Sequence, residues 1–424
     1  MPDTTTTVLR HVSVPMRDGV RLATSVYLPA GAGPFPVVFV RTAYNRVPFT
    51  GAGFTDRGMA FVVQDVRGRY GSDGEFYPFT HEEDDGADAL AWIAAQPWCN
   101  GRIAMSGDSY LAATQFSAAL SGTPHLCAIN PRFMAGDCWK RAYYCDGAFS
   151  LGLTWSWLCF ECNARTSEAA LMPLFDVGEV LRSLPLLSLD ERSGAGVVPY
   201  YRDYVTHARY DQQWEVLNVR ARLGEVRVPT FLVAGWYDYY AGEAFANFAA
   251  LREGTAPGVR DQHRLLVGRW THGISGTSVL GEVDFGSEAL AEDDCTQRWL
   301  EVMLRGGAAE EFQAAPIRLF VMGANTWRDE QEWPLARTRW TNLYMRADGR
   351  LTREAPGEEA PDEYVYDPAD PVPTRGGNHS IGPYNPGLFE LAPPGPYDQR
   401  TIEARAGALP SPERSRPRSL RCRP

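Results

Sequence analysis

The stretch Arg102–Ala113, RIAMSGDSYLAA, constrains the fold more than any other. Arg102–Ser106 is short, mostly apolar and preceded by Asn100-Gly101, so it reads as a buried strand. Gly107-Asp108-Ser109-Tyr110 then turns, and Leu111–Leu120 is built from helix formers. A strand, a tight turn with a central Ser and a helix make the setting of a nucleophile elbow. Such a turn holds the hydroxyl out at the carboxyl end of a sheet. Strand and helix backbones nearly touch there, so small residues must flank the Ser, as Gly107 and Ala112 do. Leu111 stands where the second Gly of G-x-S-x-G belongs, and a Ser before a helix also reads as a simple N-cap. The nucleophile reading therefore depends on finding its partners.

Strands alternate with helices on both sides of this stretch. Residues 11–29 are two alternating runs around Asp18-Gly19, a hairpin pattern. Pro36–Arg41 and Met59–Val66 are continuous apolar strands, and Glu82–Gln96 is a helix with an acidic first turn. After Leu126–Ile129 the pattern breaks near Pro131, and residues 132–225 are rich in aromatics at helical spacing, which reads as an inserted cap. The alternation resumes with strand Val228–Ala234, a helix from about Gly242 to Arg252, strand His263–Gly268 and a helix Ser287–Arg305 capped by Ser287. This is the signature of a mostly parallel sheet covered on both faces. Beyond Pro316, the runs Ile317–Met322, Trp340–Met345 and Glu363–Tyr366 suggest an antiparallel β module, and Pro410–Pro424 has almost nothing apolar and reads as disordered. The expected division is an α/β domain over 1–131 and 226–335, a helical cap over 132–225, an incomplete β module over 336–409 and a tail over 410–424.

A Ser nucleophile needs a base, and the base needs an orienting acid. In this architecture they follow in the order Ser, Asp or Glu, His, each in a loop beyond a strand. Asp238 and His272 meet that demand, each just past an apolar strand, and the other His of the chain (11, 81, 125, 207, 263 and 379) do not. The 424 residues carry a net charge of −11, which disfavours nucleic acid and anionic membrane as partners, and no 18-residue apolar run spans a bilayer. The N-terminus shows no secretory signal pattern, and eight Cys spread over the chain fit free thiols, so the expected compartment is the cytoplasm. Cys159-x-x-Cys162 has no second pair at zinc spacing, and Glu82-Glu83-Asp84-Asp85 reads as a solvated helix start. No metal or cofactor is called for. Asp65, Arg67 and Asp73 read as braces for the loops behind the elbow.

Gly107-Asp-Ser109-Tyr110-Leu-Ala112, Gly235-Trp-Tyr-Asp238 and Trp270-Thr-His272 together resemble the bacterial cocaine esterase group within the X-prolyl dipeptidyl peptidase superfamily of serine hydrolases. Asp65-Val-Arg-Gly68 with Ser72-Asp-Gly74, Phe320-Val-Met-Gly323 with Trp327-Arg-Asp329, and Tyr366-Asp-Pro-Ala-Asp-Pro371 extend the likeness over about residues 10–405. It implies an α/β-hydrolase domain, an inserted helical cap and a C-terminal jelly roll. It also implies Ser109, Asp238 and His272 as catalytic triad, and Tyr44 with the Tyr110 amide as oxyanion donors, each worth roughly 3–4 kcal/mol. Two residues depart from the family pattern: Ala112 replaces the last Gly of the elbow, and Ala43 replaces the Pro before Tyr44. The jelly roll stops after its opening strands, and the Arg/Pro-rich tail resembles out-of-frame read-through. Trp155, Trp157 and Tyr240 are the candidates for an aromatic acyl pocket. The expected activity is hydrolysis of a small-molecule carboxylic ester or amide through an acyl-enzyme. The alternatives are an X-Pro dipeptidyl-peptidase, a β-lactam side-chain acylase and an inactive remnant, and homo-oligomerisation stays open.

Overall fold

The computed structural model describes residues 7–163, 165–167, 176–346, 351–358, 367–378 and 393–405. Its centre is one ten-stranded sheet. The strands are β1 (Thr7–Pro15), β2 (Arg21–Leu28), β3 (Phe35–Thr42), β4 (Ala60–Asp65), β5 (Cys99–Asp108), β6 (Leu126–Arg132), β7 (Phe231–Gly235), β8 (Arg264–Gly268), β9 (Ile317–Val321) and β10 (Thr326–Glu330). Their spatial order is β1-β2-β4-β3-β5-β6-β7-β8-β9-β10. Pairing is parallel from β4 through β9, and antiparallel for β1–β2, β2–β4 and β9–β10.

The continuous apolar runs become strands covered on both faces. All residues of β4, β7 and β8 are buried. Alternate residues divide between two cores: Val37, Phe39, Val62, Ile103 and Leu265 face one, and Val38, Val40, Val63, Ala104 and Leu266 the other. The first is sealed by α1 (Glu82–Ala94), α2 (Tyr110–Leu120) and α3 (Ala241–Gly254), the second by α4 (Cys295–Arg305), through Trp299, Leu300 and Met303. This is a mixed α/β sheet of α/β-hydrolase type.

The hairpin turn at Asp18-Gly19 forms as read, with Gly19 at φ +88° and Asp18 Oδ1 accepting the Val20 N–H. Two elements differ from expectation. Residues 287–305 are not one helix: Ser287–Leu290 is a single tight turn, and α4 starts only at Cys295. The intervening acids are engaged elsewhere, Glu292 with Arg298 and Arg318, and Asp293 with the Trp270 indole. Ser287 does not cap, since Gly286 occupies the cap position. Second, Ile317–Val321 opens no separate module, because it adds to the main sheet alongside β8 and buries Ile317, Leu319 and Phe320. The break expected near Pro131 falls one residue later, at the end of β6, with Pro131 inside the strand opposite Gly107.

Between β6 and β7 the chain makes short helices, Leu151–Ser156, Val177–Leu181, Leu189–Arg192, Pro199–Thr206 and Gln212–Leu217, and two π-helical turns, Trp139–Tyr143 and Trp157–Glu161. They enclose their own aromatic core of Tyr143, Tyr144, Trp155, Tyr201, Tyr204 and Trp214. Of the later β runs, Tyr344–Met345 pairs with Leu351–Thr352, whereas Glu363–Tyr366 and Pro410–Pro424 lie outside the described residues. No helix among the described residues is long and apolar enough to cross a membrane.

Candidate active site

The parallel strands share one carboxyl edge, and the loops that leave it carry every residue of interest. Tyr44 follows β3, Ser109 follows β5, Asp238 follows β7 and His272 follows β8. Ligands gather at such an edge because the loops there are free to diverge.

Ser109 sits at φ +58°, ψ −123°, a backbone region that L-residues avoid at a cost of about 1–3 kcal/mol. Its hydroxyl makes no cap bond to α2, which removes the N-cap reading. The turn is held instead by its backbone. The Ser109 N–H donates to the Arg132 carbonyl (2.9 Å), and its carbonyl accepts from Ala112 (2.8 Å) and Ala113 (3.1 Å). Gly107 is obligatory: its φ is +141°, and a Cβ there would lie 2.5 Å from the Leu111 Cβ. Ala112, in place of the family Gly, is fully buried in α2.

Behind the elbow the Tyr110 hydroxyl donates to Glu82 Oε1 (2.6 Å) and accepts the Phe79 N–H (3.1 Å). Burial first, then Glu82, holds the Tyr110 phenol well above its ordinary pKa, so it stays protonated. Glu82 also pairs with Arg41, itself fully buried, and Asp85 pairs with Arg67 (2.6 Å). The acidic start of α1 is thus only partly a solvated face: Glu82 and Asp85 are buried. Arg67 also reaches Asp18 (2.7 Å), and Asp65 pairs with Arg46, so both act as braces. Asp73 contributes through its backbone, bonded to Arg21 and Gly68.

His272 Nδ1 lies 2.9 Å from Asp238 Oδ1. The two loops are joined along their backbones: Trp236 N–H donates to the Gly268 carbonyl (2.8 Å) and Tyr237 N–H to that of Trp270 (3.0 Å). Gly235 permits this contact, since a Cβ there would fall 2.0 Å from the Trp270 carbonyl oxygen. Asp238 is fully buried, and burial raises its pKa against the pull of His272. For His272, burial works against the charged form, but Asp238, Asp108 and Glu161 outweigh it and hold the imidazole above its ordinary pKa.

The Tyr44 hydroxyl accepts the Trp157 indole N–H (3.0 Å). Burial raises its pKa well above the ordinary value, so it remains a neutral donor. The loop does not need the family Pro at Ala43, because the Ala43 carbonyl accepts Arg69 Nε (2.9 Å) and Asp65 clamps Arg46.

A single cavity of about 950 Å³ is lined by Tyr44, Ser109, Tyr110, Trp157, Tyr240 and His272. Tyr240 packs edge-on to the His272 ring at 5.5 Å. Trp155 is a correction: it is fully buried in the aromatic core, donating to Ser193 Oγ (3.0 Å), and does not line the cavity. Two residues apart along a helical turn, Trp155 and Trp157 point to nearly opposite sides. Glu161, absent from the sequence reading, lines the same cavity. Its signal was there: it is the only charged residue between Asp146 and Arg165. Among the described residues, no group of three or more His, Cys, Asp or Glu is placed to hold a metal ion.

A strained Ser at an elbow, on a sheet of this order, defines an α/β-hydrolase of the serine class. The model of the X-Pro dipeptidyl-peptidase (S15) family matches residues 18–274, and the chain belongs to that family. It is 33% identical to the cocaine esterase of Rhodococcus sp. (strain MB1 Bresler), over 96% of this chain and 75% of that protein. Among solved structures, an aminopeptidase from a marine-sediment Thaumarchaeota archaeon superimposes with a TM-score of 0.79 at 23% identity, covering 96% of this chain and 72% of that one. An α-amino acid ester hydrolase gives 0.72 at 23% identity, covering 88% and 67%. At those identities the two structures speak for the fold alone. The chain is an enzyme, a serine ester hydrolase.

Proposed function

We propose that Ser109, His272 and Asp238 form the catalytic triad of this ester hydrolase. His272 takes the Ser109 proton as the hydroxyl attacks the ester carbonyl. Asp238 orients the ring through Nδ1 and stabilises the imidazolium that forms. The Tyr44 hydroxyl and the Tyr110 amide receive the charge on the carbonyl oxygen; that amide, first in α2, has no partner within the helix. The tetrahedral intermediate collapses as His272 protonates the departing alcohol, leaving an acyl-Ser109. Water, activated by the same imidazole, then releases the acid and restores the serine.

The observation that carries this reading is the 2.9 Å Asp238–His272 bond at the strand edge where Ser109 is held in its strained turn. The substrate is a small-molecule ester, taken up in a cavity whose lining includes Tyr143, Leu153 and Trp157 of the 132–225 segment, which we treat as a cap over the 1–131 and 226–335 hydrolase domain. The seven described cysteines are unpaired, which supports a cytoplasmic setting.

The test is Ser109→Ala assayed with short p-nitrophenyl esters, alongside labelling by a fluorophosphonate probe. Turnover and labelling should both vanish. Activity retained at more than a few per cent removes Ser109 from the mechanism. Comparing a benzoyl ester with Ala-Pro-anilide separates esterase from exopeptidase action.

A further inference from the structure

Asp108 ends β5 and Arg132 ends β6, and the parallel register sets the two opposite each other. Their side chains form an ion pair. The pair stands immediately before Ser109, whose N–H is bonded to the Arg132 carbonyl (2.9 Å). Arg132 is fixed from behind: its Nη1 donates to Thr296 Oγ1 in the first turn of α4, and that hydroxyl donates to Asn130 Oδ1 (3.0 Å). Asn130 is fully buried, with its N–H on Gln115 Oε1 (2.9 Å), and Gln115 Nε2 returns to the Gly107 carbonyl (3.1 Å). The network begins and ends at the elbow. Its one carboxylate is not sealed in: the Asp108 side chain is 38% exposed and lines the same cavity as Ser109 and His272.

Three carboxylates act on the His272 ring. Asp238 is bonded to Nδ1 (2.9 Å), Glu161 faces the cavity from its π-turn, and Asp108 faces it from the elbow. Glu161 keeps its proton up to about 7, so it brings little charge to the acid range. Against the ring itself stand Phe133 at 6.1 Å and Tyr240 at 5.5 Å, which are neutral. On the far side of Asp108 the counter-charge is Arg132, and Cys295 next to Arg132 is a neutral thiol, pushed up to about 12. Asp293, the other acid of the lining, is held on the Trp270 indole (3.2 Å). A charge acting across a cavity with protein walls is screened less than one on an open surface.

We propose that Asp108 is a positioning residue of the reaction, an elbow carboxylate held by Arg132 whose charge steadies the His272 imidazolium as the Ser109 proton arrives. The assignment rests on the triad reading of the site and adds a second electrostatic partner to it. Asp108 touches no substrate atom and takes no proton. It acts through His272, and Arg132 limits how strongly it does so. Both proton transfers of acylation, from Ser109 and then to the departing alcohol, pass through the imidazolium, so a charge that favours it serves both.

Asp108→Asn and Arg132→Met break the same ion pair, so a purely bracing role predicts the same change for both. The electrostatic role predicts opposite changes. The readout is the acid limb of kcat/KM against pH for a neutral p-nitrophenyl ester, on the full-length wild type, each single variant and the double variant. Asp108→Asn should move the limb down by about half a pH unit or more, and Arg132→Met should move it up by a similar amount. The double variant should lie between them. A limb that neither substitution moves, or that both move in one direction, overturns the proposal. Where one single variant does not fold, the sign shown by the other decides: an unmoved limb or the opposite sign overturns the proposal just as well. Absence of turnover in the wild type refutes the hydrolase reading and this role with it; a wild type that turns over, with a limb the variants leave in place, refutes the role of Asp108 alone.

Discussion

Glu161 makes folding stability depend on pH in a direction opposite to that of most carboxylates. Burial pushes its pKa from 4.5 up to about 7, against the opposing pull of His272 and Arg69. Cys162 and Tyr44, the other titratable groups beside it, stay neutral over this range. In the unfolded chain Glu161 ionises near 4.5; in the folded chain it keeps its proton until about 7. Between those values the folded state binds the extra proton, so stability falls as pH rises across the window. At about 1.4 kcal/mol per pH unit, the gap corresponds to about 3 kcal/mol lost once the group is charged. Glu161→Gln has no proton to lose. Guanidinium unfolding of both proteins should therefore give nearly parallel stabilities near pH 4.5, diverging until the Gln variant is more stable by about 3 kcal/mol above pH 7. Asp238 titrates in both proteins with His272 as its charged partner, whereas His272 is also coupled to Glu161, so its titration shifts between the two proteins and adds to the difference. A difference independent of pH would show that Glu161 is not desolvated. A wild type that becomes the more stable partner at high pH would show that the carboxylate is already paired.

Asp238→Asn should lower kcat by about 10⁴ with the fold intact, as loss of the orienting acid does in other triads, while ester KM changes little. Because His272 must be neutral to accept the proton and its pKa is raised, the acid limb of the kcat/KM profile should lie above the ordinary imidazole value of 6.5; a limb below it contradicts the Asp238 contact. Tyr44→Phe should reduce kcat by about 10²–10³ through loss of one oxyanion donor, whereas Trp157→Phe, which removes only the N–H that steadies the Tyr44 hydroxyl, should cost less than Tyr44→Phe on neutral esters. Gly107→Ala should abolish soluble expression or labelling at Ser109, since the new methyl meets Leu111 Cβ at 2.5 Å; wild-type activity in that variant would mean the elbow is looser than its geometry implies.

The positions of the proposed triad residues are legible in the sequence because each follows a continuous apolar run, and such runs become buried parallel strands whose loops emerge on one edge. Position relative to Val228–Ala234 and His263–Gly268 was enough to single out Asp238 and His272. The pocket was less legible. Trp155 and Trp157 are equivalent in composition and differ only in helical phase, which the short irregular helices of 132–225 do not reveal from pattern. Ile317–Val321 was misplaced for a related reason: a short apolar strand looks the same whether it closes one sheet or opens another, and here parallel pairing with β8 decides. The acidic start of α1 was read as solvated because charge density suggests exposure, yet Glu82 and Asp85 are buried against arginines more than fifteen residues upstream. Pairing across such separations leaves no local trace.

Those buried charges bear on how the elbow keeps its strain. The turn at Ser109 costs energy that its own backbone bonds do not obviously recover, so something must stop α2 from sliding toward a relaxed start. Tyr110 is the residue in the position to do so, because it is the first of α2 and its hydroxyl is gripped by Glu82 on one side and the Phe79 N–H on the other. Glu82 is in turn gripped by Arg41 at the carboxyl end of β3, two residues before the loop that carries Tyr44 begins. A buried ion pair seldom stabilises a fold more than well-packed apolar residues would. Its directional bonds do fix distances that oily packing leaves adjustable. One Arg–Glu–Tyr chain therefore ties β3, α1 and α2 together, and with them the two proposed oxyanion donors, the Tyr44 hydroxyl and the Tyr110 amide. Preorganised donors stabilise the intermediate only if they do not relax when its charge appears. The buried network is best understood as fixing the separation of those donors, and its cost in desolvation as the counterpart of that rigidity.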